Sequence, residues 1–229
     1  MPESSGTTNT ADFAAWVASA IDRCRPDKLI IDAFPGGIIG ELCGLEQLKD
    51  IECSYIARIL DLPAYQKRLC GNLPRIKKIY RVEKLGEDHE RFLNSLNAPI
   101  ENLALRYDSD ATATVQLPDN CWLVVHSGNN EELLQLWLFA RQTADIENVR
   151  PRLAMVSPGP RPQFLPPEAL HFAIYPADEL LVQAGRVFSA AGFNIMQQMR
   201  CFKAKHRVLP MKRALDNQFL RHQFWRENN

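Results

Sequence analysis

The chain has 229 residues, of which 46% are hydrophobic and 24% charged, and its 27 basic and 27 acidic residues give a formal net charge of zero. This composition is that of an ordinary globular protein with enough apolar material for one large domain or two small ones. It argues against a strongly basic nucleic-acid binder. No apolar run approaches the roughly 20 residues of a membrane-spanning helix, and the N-terminus lacks a basic-then-apolar leader, so we expect a cytoplasmic protein.

The cysteines and histidines do not form a metal-binding pattern. The six cysteines are widely scattered without a C-x-x-C pair, and most lie beside apolar neighbours, as Cys53 and Cys121 do. The five histidines show no i, i+4 pairing. We therefore expect reduced core thiols and no metal, zinc site or disulfide framework.

The first part of the chain mixes helical and strand patterns. Residues 1–10 are small and polar, which predicts a disordered start. Apolar residues at helical spacing then predict a helix from Ala11 to Cys24, capped by Thr10 or Asp12. Further strands are predicted at Cys53–Leu60 and Lys77–Leu85, and a polar helix from Gly86 to Leu96.

A glycine turn lies early in this part. The apolar segment Lys28–Phe34 predicts a short buried strand that runs into Pro35, Gly36 and Gly37, and a helix is expected over Ile38–Leu42. Asp32 is interpreted as an acid/base candidate or, more simply, as a residue that caps this turn.

A domain boundary is predicted over residues 97–120. Leu103–Val115 contains β-prone residues but also Asp108-Ser109-Asp110, so this segment is a linker or a short strand pair. The resulting division places a partial α/β domain at 11–96 and a second domain at 121–229.

The second domain alternates regularly between strands and helices. The predicted strands are Cys121–His126, Arg152–Ser157, Ala169–Tyr175, Val187–Phe188 and His206–Pro210, and the predicted helices are Glu131–Thr143, Ala177–Ala184 and Leu215–Glu227. Such alternation predicts right-handed βαβ units and a parallel sheet. Parallel sheets bind ligands at the carboxyl ends of their strands.

The most informative segment is Arg186–Met199, RVFSAAGFNIMQQM. Its short apolar run, small residues and helix-like continuation predict a buried strand, a tight turn around Gly192, and a helix that starts at Phe193. The first amides of a helix attract phosphate, and small residues allow an anion to approach the backbone. An ordinary strand-to-helix turn remains the alternative.

Two more polar loops follow predicted strands. The first, Ser127–Asn130, contains a hydroxyl, Gly128 and two amide side chains. The second, Lys212–Gln218, contains Asp216 and Gln218, whose carboxylate and amide suit a polyhydroxyl ligand. A helix cap is the alternative role for Asp216.

The segments VFSAAGFNIMQQM and LPMKRALDNQFLRHQ, in this order and spacing, resemble the C-terminal domain of GT-B fold glycosyltransferases. The resemblance is greatest to the branch of the peptidoglycan lipid-intermediate N-acetylglucosaminyltransferase. WLVVHSGNNEE resembles the loop that opens this domain, and DKLIIDAFPGGIIGEL resembles the last strand and glycine turn of the N-terminal domain. The resemblance implies an α/β fold in which a Rossmann-like C-terminal domain follows a partial second α/β domain.

The resemblance also implies a nucleotide-diphosphate sugar as donor substrate, without a separate cofactor. Gly36 and Gly37 would face the acceptor. The residues that would contact the donor are Gly128 and Asn129 at phosphate or sugar, Gly192, Phe193 and Asn194 at the diphosphate, Gln198 at the ribose, and Asp216 and Gln218 at the sugar hydroxyls.

The chain departs from the family pattern in two ways. Gln198 stands where the family has a glutamate, and residues 11–85 offer only the last half of the first domain. The missing half would supply the acceptor pocket, so no catalytic base is predicted. A shortened paralogue, a fragment that requires a partner chain or self-association, and a start assigned too far downstream all fit the sequence.

Other catalytic patterns are weak. His126 ends a strand beside Ser127, but without an evident acidic partner it is interpreted as a structural histidine. PGGIIG does not have the dinucleotide-binding spacing, and no Walker lysine or G-x-S-x-G elbow is present.

The leading hypothesis is therefore a GT-B-like glycosyltransferase or a shortened descendant. A non-catalytic subunit or regulator with a donor-binding fold is the alternative, and a nucleotide-sugar epimerase or hydrolase is a weaker one.

Overall fold

A computed structural model describes residues 9–106 and 115–227. The chain divides into two compact units. The first consists of the residues up to Ala104 together with Arg213–Leu220, and the second consists of Leu105–Lys212 together with the residues from Arg221 onward. The segment 213–220, which the sequence analysis assigns to the C-terminal domain, thus groups with the first unit.

The first unit contains a four-stranded parallel sheet in the order β1-β2-β3-β4. Its strands are β1 (Lys28–Asp32), β2 (Glu52–Ala57), β3 (Ile76–Arg81) and β4 (Ile100–Asn102), and its helices are α1 (Thr10–Cys24), α2 (Leu62–Gln66) and α3 (Glu87–Ser95), with a 3-10 turn at Glu46–Leu48. Tyr55, Ile79 and Leu93 are fully buried in its core.

The start of α1 differs from the expectation. The side chain of Asn9, not of Thr10 or Asp12, accepts the Ala11 amide as the N-cap. Thr10 is already helical, so Asn9 and Thr10 are ordered, and the rest of the expected disordered start, residues 1–8, lies outside the described residues.

The predicted helix over Ile38–Leu42 is wrong. Gly37 and Gly40 have φ angles of 87° and 88°, so the backbone leaves the right-handed helical region just before this segment and again in its middle, and it forms consecutive turns. Two short elements were not located, α2 and the three-residue β4, and β4 lies within residues 97–120, which were predicted to be a linker or a short strand pair. Residues 107–114 of that linker lie outside the described residues.

The second unit contains a five-stranded parallel sheet in the order β7-β6-β5-β8-β9. Its strands are β5 (Cys121–Val125), β6 (Arg152–Val156), β7 (Leu170–Phe172), β8 (Arg186–Ser189) and β9 (His206–Val208), and its helices are α4 (Asn130–Ile146), α5 (Asp178–Gln183) and α6 (Phe193–Gln198), with a 3-10 segment at Met199–Lys205. Helix α7 (Gln218–Glu227) begins in the segment of the first unit and ends in the second.

Both faces of this second sheet are covered by apolar side chains, as parallel sheets require. Trp122, Val124 and Phe188 belong to one buried cluster, whereas Leu123 and Val187, which alternate with them along β5 and β8, belong to the other. The two parallel sheets with their helices confirm the predicted α/β class.

The winding of the second sheet reverses at β5. From β5 the chain moves outward through β6 and β7, and it then returns to place β8 and β9 on the other side of β5. This order is that of a Rossmann-like doubly wound sheet, which has a crevice between its two central strands at their carboxyl ends.

The six thiols differ in burial, and Cys43 is intermediate. Cys53 and Cys121 are buried, and burial raises the pKa of both, that of Cys121 to about 11. Cys24, Cys70 and Cys201 are exposed, so the expectation of core thiols does not hold for these three. Within the described ranges, no helix combines the length and the apolar character needed to cross a membrane.

Candidate functional site

The loops that follow β5 and β8 meet at the reversal point of the second sheet. Val125 pairs with Ser189, the last residues of these two strands, so the two chains leave the sheet side by side. The structure therefore brings together five of the residues singled out from the sequence: Gly128, Asn129, Gly192, Phe193 and Asn194.

The loop after β5 contains a histidine–carboxylate pair. Nε2 of His126 lies 2.8 Å from Oε2 of Glu132, and the two side chains are 9% and 17% exposed. An ionised carboxylate only accepts, so the imidazole donates through Nε2. The conclusion that His126 lacks an acidic partner is thus wrong. Glu132 occupies the third helical position after the cap, where a glutamate side chain often reaches back towards the residues before the helix. This position was the sequence signal that could have predicted the contact with His126.

The same pair explains why residue 128 is glycine. A Cβ atom at Gly128 would lie 1.9 Å from Oε2 of Glu132 and 2.2 Å from Nε2 of His126. Any other residue would have to displace the pair. Gly128 therefore allows the His126–Glu132 pair to pack directly beneath the loop.

The amino end of α4 already carries negative charge. Asn129 caps the helix by accepting the Glu132 amide at 3.0 Å, and Glu131 and Glu132 lie in the first turn. These carboxylates compensate the helix dipole. An anionic ligand would therefore be met by the neighbouring β8 loop and not by α4.

The β8 loop presents backbone and open space. Gly192 is the N-cap of α6 and has no side chain to accept from the first helical amides. A Cβ atom there would have only Cγ2 of Ile195 within 4 Å, at 3.9 Å. Phe193 is half-buried and Asn194 is exposed. The loop is thus accessible to a ligand that approaches the backbone closely.

A buried arginine supports this loop. Arg221 is 4% exposed, and its Nη1 donates to the Ala191 carbonyl at 2.9 Å. Its guanidinium also lies over the ring of Phe193, 5.9 Å from the centroid. The sequence analysis missed Arg221 because it lies 30 residues from the loop, on a helix whose pattern gives it no special place. Its charge adds positive potential to the β8 loop.

His206 is a structural residue beneath this loop. Its Nε2 lies 2.7 Å from Oγ of Ser189, whose hydroxyl donates to the Ala190 carbonyl at 2.9 Å. Burial, and then the charges of Arg207 and His222, lower the pKa of His206 to about 3. The ring is therefore neutral and donates to Ser189 through Nε2.

The remaining donor-site candidates are placed differently. The Nε2 amide of Gln198 donates to Asp178 Oδ1 at 3.0 Å, in the second unit. Asp216 and Gln218 belong to the first unit, where the backbone N–H of Gln218 donates to the backbone carbonyl of Asp216. Asn217, not Asp216, caps α7 by accepting the Leu220 amide at 3.0 Å.

In the first unit, the acceptor-side candidates Gly36 and Gly37 enclose a carboxylate of the chain itself. Glu41 is 6% exposed and accepts the amides of Ile38 at 3.1 Å and of Ile39 at 2.8 Å. A Cβ atom at Gly37 would lie 2.2 Å from Cδ of Glu41. The Gly36 amide donates to the Tyr65 hydroxyl at 2.7 Å. The amides of this turn are therefore engaged by Glu41 and Tyr65.

The first unit also has a cavity of about 370 Å³ at the carboxyl ends of β2 and β3. Its lining includes Asp61, Glu87, Asp88 and Asn217, next to buried His89. Carboxylates and an amide suit a neutral polyhydroxyl ligand. Within the described ranges, no group of three histidine, cysteine or carboxylate side chains is arranged to hold a metal ion.

Comparisons with known proteins show a likeness to a solved structure. No protein-family model and no curated protein matches the sequence. The glycosyltransferase SnogD from Streptomyces nogalater superposes with a TM-score of 0.47 and 14% sequence identity, over 93% of this chain and 65% of that one. The chain thus spans about two thirds of the length of that protein.

Proposed function

We propose that the second unit binds a nucleoside diphosphate sugar at the carboxyl ends of β5 and β8, and that the protein is a GT-B-type glycosyltransferase. The observation that carries this proposal is the reversal of the sheet order between β5 and β8, with a glycine loop on each side. Ligands of open parallel sheets bind at this position. The order and spacing of the sequence motifs around Gly192 and Asp216 favour a sugar nucleotide over other phosphorylated ligands.

In this proposal the β8 loop stabilises the departing diphosphate. The backbone of Gly192, Phe193 and Asn194 faces its oxygens, while Arg221 holds the loop through the Ala191 carbonyl and adds positive charge. An acceptor hydroxyl attacks the anomeric carbon as the sugar–phosphate bond breaks, the electron pair of that bond stays on the diphosphate, and the hydroxyl proton is released to water. Preorganised amides and a nearby cation favour the charge that develops on the leaving group. Gln198 is proposed to contact the ribose, whereas the roles at the sugar hydroxyls expected for Asp216 and Gln218, which belong to the first unit, stay predictions.

The test is calorimetric titration with UDP, GDP and their sugars, using a Gly192→Ala variant. A methyl group at Gly192 fits without a clash, so the variant should fold normally. It would, however, occupy the space of the diphosphate, and we expect at least about tenfold weaker binding.

Gly185→Ala is the matched control, because it also accepts a Cβ atom and lies before β8, at the opposite edge of the sheet. It should bind as the wild type does. Absence of binding of every nucleotide at millimolar concentration, or equal affinities of the two variants, would overturn the proposal.

A binding module without transferase activity is the second candidate. The observation that favours it is the Glu41 carboxylate, which engages the amides beside Gly36 and Gly37, the residues expected on the acceptor side. Product analysis with the purified chain separates the possibilities. Acceptor-dependent release of nucleoside diphosphate indicates a transferase, free sugar a hydrolase, an isomeric sugar nucleotide an epimerase, and unchanged ligand a binding module.

A further inference from the structure

A second concave region lies at the opposite edge of the sheet in the second unit. This cleft has a volume of about 760 Å³ and lies at the amino ends of β6 and β7, against the C-terminal half of α4. Its size is within the range of sites for small organic ligands. None of the residues proposed to bind the sugar nucleotide lines it.

The apolar surface of the cleft is built from fixed elements. Trp137 and Leu153 belong to the core cluster on this side of the sheet and contribute to the lining. The wall before β7 is held by Arg161, which donates to the carbonyls of Pro166 at 2.6 Å and Ala169 at 2.8 Å. These contacts indicate a preformed cleft with an apolar surface.

Five charged side chains line this cleft, and within the described part of the chain only some of its arginines form ion pairs with carboxylates. Arg150 pairs with Asp145 at 3.3 Å. Arg141 and Arg152 are exposed, and no carboxylate of the described residues lies within ion-pair distance of either. Glu168 contributes the remaining charge, so the lining carries a net charge of about +1 at neutral pH.

We propose that this cleft binds a small organic anion with a flat apolar body. The apolar part would pack against Trp137 and Leu153, and the carboxylate or phosphate would bind Arg141 and Arg152. The planar guanidinium group recognises carboxylates and phosphates through paired hydrogen bonds. The volume favours a small molecule over a protein segment, and the two arginines select an anion over a neutral or cationic ligand.

The proposal is tested by NMR titration of the full chain with 2-naphthoate, with neutral 2-naphthamide as the matched ligand. We expect saturable shifts confined to the cleft, including the Trp137 indole, and at least about tenfold weaker binding of the amide. The variant Arg141→Gln/Arg152→Gln should also bind 2-naphthoate at least about tenfold more weakly, because it loses both cations. Arg200→Gln, an exposed arginine of the same unit outside the cleft, should bind as the wild type does.

Glu168→Gln provides a test of opposite sign. Removal of this carboxylate should tighten 2-naphthoate binding about twofold to fivefold, since one repulsive charge at the rim is lost. No saturable binding at about 10 mM, shifts at the loops of β5 and β8 instead of the cleft, or equal affinity for acid and amide would overturn the proposal. None of these outcomes tests whether the loops of β5 and β8 bind a sugar nucleotide.

Discussion

Single residues determine what the glycine loops can do. Gly36-Gly37 and Gly192 both follow strands, and the sequence predicts an acceptor-side turn for the first and anion binding for the second. In the first loop the buried carboxylate of Glu41 accepts two amides. The N-cap of α6 is Gly192, which has no side chain to accept from the first amides of that helix. The two loops differ because Glu41, four residues after Gly37, accepts the amides of the first loop. No local sequence pattern predicts this role for Glu41.

Glu41→Gln should destabilise the first unit by about 1–3 kcal/mol, because the amide of a buried side chain places a donor opposite one of two backbone donors. The measurement is the urea-induced unfolding of the variant relative to the wild type. Glu46→Gln is the control, since Glu46 is exposed and its pairing with Lys49 is a surface ion pair of little energetic value. Equal unfolding midpoints for the two variants would contradict this role for Glu41.

At the scale of elements, the sequence predicted the strands well and the turns poorly. Eight strands were located, because buried parallel strands are short apolar runs bounded by turn residues. The helix predicted over Ile38–Leu42 failed because glycine φ angles override apolar spacing. The missed elements α2 and β4 have five and three residues, too few to show a period.

At Asn129, the cap of α4, the contribution of the cap to stability can be measured separately from an effect on ligand affinity. Asn129→Ala should cost about 1 kcal/mol of stability because it removes the cap to the Glu132 amide. Asn129→Asp keeps an accepting oxygen and should preserve stability.

The aspartate variant also adds a negative charge beside the proposed diphosphate, so its affinity for a sugar nucleotide should decrease at low salt. Thermal unfolding and calorimetric titration measure the two effects. If Asn129→Asp binds UDP as tightly as the wild type does, Asn129 is not near the phosphates.

At the scale of the whole molecule, the sequence predicted a second parallel sheet with its polar loops at one edge. The pairing of β5 with β8 then brings Gly128 and Gly192 together. The sequence did not predict the grouping of 213–220 with the first unit or the support of the β8 loop by Arg221. Both depend on contacts between residues far apart in the chain, which a local pattern does not encode. The roles of Gln198, Asp216 and Gln218 stay predictions.

Each unit contains a buried neutral histidine, and this predicts an acid-sensitive fold. Burial lowers the pKa of His89 to about 4, and burial with nearby positive charges lowers that of His206 to about 3. In the unfolded chain both titrate near pH 6.5. Between pH 6.5 and these lower values only the unfolded state binds the proton, so the free energy of unfolding decreases as the pH falls.

At pH 5 each histidine should lower the free energy of unfolding by about 2 kcal/mol relative to pH 8. Urea unfolding monitored over this range measures the loss. His206→Gln keeps a donor toward Ser189 but does not titrate, so its unfolding free energy should depend less steeply on pH. An unchanged slope for this variant would show that His206 is protonated in the folded protein.

The Glu41 carboxylate also has a consequence for the way glycine turns are interpreted. Because it is covalently tethered to the loop that binds it, it is present at a high effective concentration and competes with any free anion for the same amides. The turn has the geometry of an anion-binding site, but the anion that occupies it is the Glu41 side chain of the same molecule. A phosphate would have to displace the Glu41 carboxylate before it could bind. A glycine-rich turn can therefore be well formed and still not bind a substrate.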